Sequence, residues 1–236
     1  GLLVTGTVHI GIFLLHQARR TYIFIHIPKT GGTSLNQWID TLQQKGLCST
    51  IQSAHTHHIR AKQAIQMGYK PITIIREPTQ RFISSYYYWK HGSSDIAQWR
   101  RQPNWKKADH INSPDELIHI LSNQEHPAYK KTVDAIMQRD HFTHKHHFLP
   151  QSLWVNVDPS QITIICYDNH NLNSHIQKAF SAMSIHCPLK KMPTINQSLI
   201  PKEAQLSLSK ASIAWLHHVY EKDYLLWNTH CQTKQN

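Results

Sequence analysis

Residues 22–27 read YIFIHI, an apolar run that stops at Pro28. A short apolar segment rich in β-branched and aromatic residues and closed by proline predicts a strand covered on both faces. From Thr33 the period changes. Leu35, Trp38, Ile39 and Leu42 recur at helical spacing, and Gly46 follows as a natural helix stop. Residues 71–75 (PITII) predict a second buried strand and residues 80–89 a helix with an aromatic face. Residues 161–166 (QITIIC) predict a third strand, residues 173–183 a helix, and residues 201–227 apolar positions at helical spacing behind a proline start. The polar stretch 90–112, with Trp99 and Trp105 among basic residues, reads as an excursion over the surface.

Strands alternating with helices imply an α/β fold, a central parallel sheet flanked by helices in three layers. There is no internal repeat and no long low-complexity linker, so residues 1–236 read as one domain. Residues 2–15 (LLVTGTVHIGIFLL) are apolar but short for a span of ~20 residues. They read as an extra strand or helix packed on the domain, with the remnant of a signal anchor as the other reading.

Composition narrows the partners. Lys plus Arg number 25 against 14 Asp plus Glu, a net charge of +11 with histidines neutral. That excess favours anionic partners: a nucleotide, nucleic acid, a membrane surface or an acidic polysaccharide. Cys48, Cys166, Cys187 and Cys231 lie far apart with no CxxC pair, which argues against zinc. A disulfide framework is not suggested for a domain of this size, and Cys166, inside an apolar run, reads as a buried thiol.

The chemistry begins where the first strand ends. Lys29-Thr30-Gly31-Gly32-Thr33-Ser34 enters a helix. Its glycines let the backbone approach an anion, and its amides and hydroxyls offer donors. The lysine precedes the glycines, whereas a nucleotide triphosphatase or P-loop kinase, one rival reading beside a non-catalytic polyanion-binding protein, needs GxxxxGK[ST]. A second anion site follows the second strand. There Arg76 can grip a phosphate bidentately and Ser84 lies on the next helix. Arg81, between them, reads as a solvated helix charge. Two anion sites at the C-terminal ends of parallel strands are where such a sheet binds a nucleotide.

HIPKTGGTS at 26–34 and IIREPTQRFISSYYYW at 74–89 resemble the phosphosulfate and 3′-phosphate motifs of PAPS-dependent carbohydrate O-sulfotransferases. This group includes heparan sulfate 2-O-sulfotransferase and many bacterial members of sulfotransferase family 2. Residues 57–65, 147–152 (HFLPQS), 162–169, 192–198 (MPTINQS) and 219–227 (VYEKDYLLW) resemble further family elements, so the likeness spans roughly residues 16–230. Glu77 departs from the commoner Asp or Asn.

The resemblance implies a P-loop-like fold, PAPS as donor, PAP as product and no metal. It assigns Lys29, Thr30, Gly31, Gly32, Thr33 and Ser34 to the phosphosulfate, Arg76 and Ser84 to the 3′-phosphate, and Asn196 and Ser198 to a loop over the cofactor. Lys29 would also be catalytic, at the leaving phosphate. Among 20 histidines, the match of His58-Ile59 to the family segment assigns the general base to His58, with His55 second and His57 a polar loop residue. The run 141–147, HFTHKHH, reads as a solvated or substrate-facing strip rather than a metal site. The implied acceptor is an anionic or neutral carbohydrate, with no nucleic acid as partner and membrane contact only through an upstream anchor. The compartment would be cytoplasm in a bacterium or Golgi lumen in a eukaryote.

Overall fold

A computed structural model of the chain describes residues 21–54, 56–92, 110–137, 145–188, 192 and 208–232. Four strands form one sheet: β1 (Tyr22–Ile25), β2 (Ile51–Ser53), β3 (Lys70–Ile75) and β4 (Thr163–Cys166). Their order is β2-β1-β3-β4, and every pairing is parallel. β2 is the strand the sequence pattern did not announce, because IQS is too short to show a period.

The sheet is covered on both faces, as a parallel sheet with continuous apolar strands requires. Ile23, Ile25 and Ile75 face Ala61 and Ala64 of α2 (Ala61–Gln66), together with Trp154 and, from the C-terminal helix, Leu226. Phe24, Ile72 and Ile74 face the other way, onto Leu35, Trp38 and Ile39 of α1 (Gly32–Gln44) and onto Ile176 and Phe180 of the helix that follows β4. Side chains thus alternate between layers along each strand.

A third apolar cluster lies beside the sheet. Helix α3 (Pro78–His91) brings Phe82, Ile83, Tyr86, Tyr87 and Trp89 against α4 (Pro114–Ser122) and α5 (Tyr129–Met137). After the short turn α6 (Lys145–Phe148) come β4 and α7 (Leu172–Ala182), the helix that carries Ile176 and Phe180. The last helical stretch is two helices, α8 (Lys210–Val219) and α9 (Glu221–His230), which meet at Tyr220. The described part of residues 201–227 is therefore helical as its spacing predicted, with a break. Residues 1–20 and 93–109 lie outside the described residues, so the apolar segment 2–15 and most of the excursion 90–112 do too. Among the described residues no helix is long and apolar enough to cross a membrane.

The cysteines correct the sequence reading. Cys48 is disulfide-bonded to Cys187, and Cys166 to Cys231. No thiol is left free. The partners are 139 and 65 residues apart in sequence, so only the fold brings them together.

Candidate active site

Strand order sets the order of the side chains along the C-terminal edge of the sheet. The loop after β2 carries His57, the loop after β1 carries Lys29, β3 runs directly into Arg76, and β4 into Tyr167. Four segments distant in sequence thus present a histidine, a lysine, an arginine and a tyrosine in a row.

The loop after β1 is built for close approach. Lys29 itself has φ 67 and Gly31 φ 85, so the chain turns twice through the left-handed region before α1 begins. The N-cap position, Gly31, supplies no side-chain cap, and a helix start is where backbone amides favour an anion. Gly32 is required for a different reason. A Cβ there would stand 2.3 Å from Cδ2 of His26, whose ring fills that space. Thr30 is fully buried and its hydroxyl donates to Ile27 O at 2.8 Å, so it fastens the loop from within. Thr33 is half-buried and Ser34 buried in the first turn of α1.

Arg76 is buried at the end of β3, and Gln151 holds its backbone from both sides. Arg76 N donates to Gln151 Oε1 (2.9 Å), and Gln151 Nε2 donates back to Arg76 O (2.8 Å). The guanidinium lies 4.5 Å over the Tyr167 ring, and Nη1 donates to Lys29 O at 3.3 Å. Its Nε is buried with no hydrogen-bond partner. A buried cationic donor left unsatisfied is costly, and an anion at that place removes the cost. Ser84 is buried on α3, one helical turn before Tyr88. Glu77 caps α3, accepting from Thr79 N and Gln80 N.

Arg81 is a correction. It is 2% exposed rather than solvated. Its Nε donates to Pro28 O (3.0 Å), Nη1 to Leu149 O (2.8 Å) and Nη2 to His146 O (3.2 Å). It ties the loop after β1 to the segment 146–152. That segment is fastened again from α9: Asp223 accepts from Gln151 N and Ser152 N, and the Tyr220 hydroxyl donates to Phe148 O. Tyr220 and Asp223 thereby support Gln151, and Gln151 supports Arg76.

Lys29 is partly exposed at the centre of this cluster. Burial, then the neighbouring charges of Arg76 and Arg81, bring its pKa down to about 7. A bound anion would favour the ammonium again.

The histidines separate by geometry. His26 is buried in β1's exit, with Nδ1 accepting from Asn36 Nδ2 (3.1 Å), while Ser53 Oγ donates to Asn36 Oδ1. Burial, aided by His57 and Lys29, keeps it neutral well below the usual histidine range. His57 is half-buried with its ring 4.4 Å from that of His26. Its Nδ1 lies 3.1 Å from His26 O and its own carbonyl accepts from Trp154 Nε1 (2.9 Å). Burial lowers its pKa, opposed by the bond to His26. His58 is exposed, touching the ring edge of His146 at 5.2 Å. His55, Asn196 and Ser198 lie outside the described residues, as do 141–144 of the histidine run. Among the described residues no group of three or more metal-binding side chains is gathered.

The profile of the sulfotransferase family matches residues 15–228. The chain belongs to that family. Searches of curated proteins and of solved structures gave no match. The family assigns sulfuryl transfer in general terms, and the three-layer parallel α/β architecture agrees with it. The cluster at the sheet edge includes four side chains that sequence reasoning did not single out for the site: His57, read as a polar loop residue, Tyr88, Gln151 and Tyr167. For Tyr167 a signal was present, since it follows an apolar strand directly, the same pattern that marked Arg76.

Proposed function

We propose that the chain transfers the sulfuryl group of PAPS to a hydroxyl of a carbohydrate acceptor. The observation that carries the reading is the buried, partnerless Nε of Arg76 beside Lys29, above an uncapped helix start. These groups fit a ligand with two separate anionic ends. Arg76 and Ser84 would hold the 3′-phosphate, and Lys29 with the amides of Gly32, Thr33 and Ser34 the phosphosulfate, with Asn196 and Ser198 closing over the nucleotide.

The donor supplies the activated sulfuryl group. Lys29 stabilises negative charge growing on the leaving side. His57 takes the proton of the acceptor hydroxyl at Nε2, because Nδ1–H is committed to the His26 carbonyl. This moves the base from His58, which is exposed and faces His146. His58 and His146 then stand at the rim, where an anionic or neutral sugar chain would pass. Two disulfides fit maturation in an oxidising compartment, the lumenal one of the two alternatives. Calorimetry tests the donor assignment: PAP is expected to bind, and ATP and oligonucleotides to bind far more weakly. Tighter binding of ATP would overturn it.

A further inference from the structure

Three tyrosines follow one another on α3, and they do different things. Tyr86 is fully buried and its hydroxyl donates to Ile111 O (3.0 Å), while Tyr87 is 8% exposed; both belong to the apolar cluster between helices. Tyr88 is outside that cluster and only half-buried. Its ring face lies 4.0 Å from Lys29 Nζ. We infer that Tyr88 is a positioning residue for the reaction, its ring holding the Lys29 ammonium where the donor's leaving phosphate arrives. This rests on the donor reading of Lys29 given above.

The geometry restricts the lysine from both ends. At the backbone, Lys29 is held in a left-handed conformation, with its carbonyl taken by Arg76 Nη1. Thr30, the next residue, is pinned to Ile27 O. At the tip, Arg76 and Arg81 repel the ammonium, and His26 faces the same charge from β1's exit. The negative face of an aromatic ring is a neutral surface that attracts a cation in such a place. A carboxylate there would compete with the donor for Lys29; a ring does not neutralise it.

The ring is itself fixed. Its edge meets the His147 ring at 4.9 Å and 77°. His147 O accepts from Ser85 Oγ at 2.8 Å, on the same helix as Tyr88. Ser84 and Tyr88 stand one turn apart and so share a face of α3. One helix face would thus address the donor at both ends, Ser84 at the 3′-phosphate and Tyr88, through Lys29, at the phosphosulfate.

The test reads Lys29 directly, without the donor. The rate of Lys29 acetylation by acetic anhydride is followed against pH by mass spectrometry in the parent, Tyr88→Phe and Tyr88→Leu, with the exposed Lys62 as internal control. Loss of the ring removes stabilisation of the charged form, so Tyr88→Leu should move the Lys29 midpoint down by about half to one pH unit. Tyr88→Phe, which keeps the ring, should restore it. In transfer assays Tyr88→Leu should lose about tenfold in kcat with PAP affinity within about threefold, and Tyr88→Phe should recover most of the rate. An unchanged Lys29 midpoint in Tyr88→Leu, or a Phe variant as impaired as the Leu variant, overturns the inference. A Tyr88-dependent midpoint in a protein that transfers no sulfate from PAPS would uphold the contact and sink the donor reading instead.

Discussion

His57 Nδ1 lies 3.1 Å from the backbone carbonyl of His26, the residue three before Lys29 of the loop after β1. A carbonyl only accepts, so this contact places the proton on Nδ1 and leaves the lone pair on Nε2. The loop that would hold the donor therefore also sets the tautomer of His57, the proposed base. His57→Ala should lower sulfate transfer by about 10²–10⁴-fold with PAP affinity within a few-fold, while His58→Ala stays within a few-fold of the parent. Single-variant transfer rates, with PAP binding as the folding control, decide it. Collapse in His58→Ala with His57→Ala active would return the base to His58.

The pH profile follows from the same two groups. In the proposed mechanism the neutral form of His57 is needed, and it is lost as pH falls through a pKa depressed below 6.5 by burial. The charged form of Lys29 is needed, and it is lost as pH rises through about 7. In the free enzyme kcat/KM should therefore rise through the first and fall through the second. Lys29→Arg, which keeps its charge, should abolish the basic limb even where the rate is lower. A basic limb unchanged in Lys29→Arg would assign it to another group.

Arg76 should discriminate between nucleotides. Its loss removes a charged hydrogen bond worth ~1.5–3 kcal/mol. Arg76→Ala should weaken PAP binding by that amount and leave the analogue without the 3′-phosphate nearly unchanged. Equal losses for both would take Arg76 away from that phosphate.

Gly32 links loop packing to the base. Its Cβ would meet His26 Cδ2 at 2.3 Å, so Gly32→Ala must displace the His26 ring, which lies 4.4 Å from that of His57. Overpacking of this kind costs ~1–3 kcal/mol, and the expected result is a lowered melting temperature together with a lowered transfer rate. Gly46→Ala is the comparison: its φ of 72 strains the backbone, but nothing lies within 4 Å. It should cost stability without touching the rate.

What could be read from the residues was what local chemistry dictates. The strand before Lys29 and the strand before Arg76 announce themselves as apolar runs, and β1 and β3 lie side by side with both residues at their ends. The proposed choice of His57 over His58 rests on contacts that the sequence does not display. His57 and His58 are chemically alike, and a carbonyl 31 residues away separates them. Arg81 sits on a helix pattern that suits a solvated charge equally well; its burial comes from Pro28, Leu149 and His146, contacts of the folded chain. The cysteine pairs close over 139 and 65 residues, and spacing says nothing of them.

The central claim is sulfuryl transfer from PAPS to a carbohydrate hydroxyl. Its most direct measurement is transfer of labelled sulfate from PAPS to a panel of acidic and neutral polysaccharides, with Lys29→Ala in parallel. Labelled sulfate esters on a polysaccharide, at a rate that falls far more in Lys29→Ala than PAP affinity does, are the predicted result. No transfer to any member of the panel, with phosphate transfer from ATP in its place, would contradict the account.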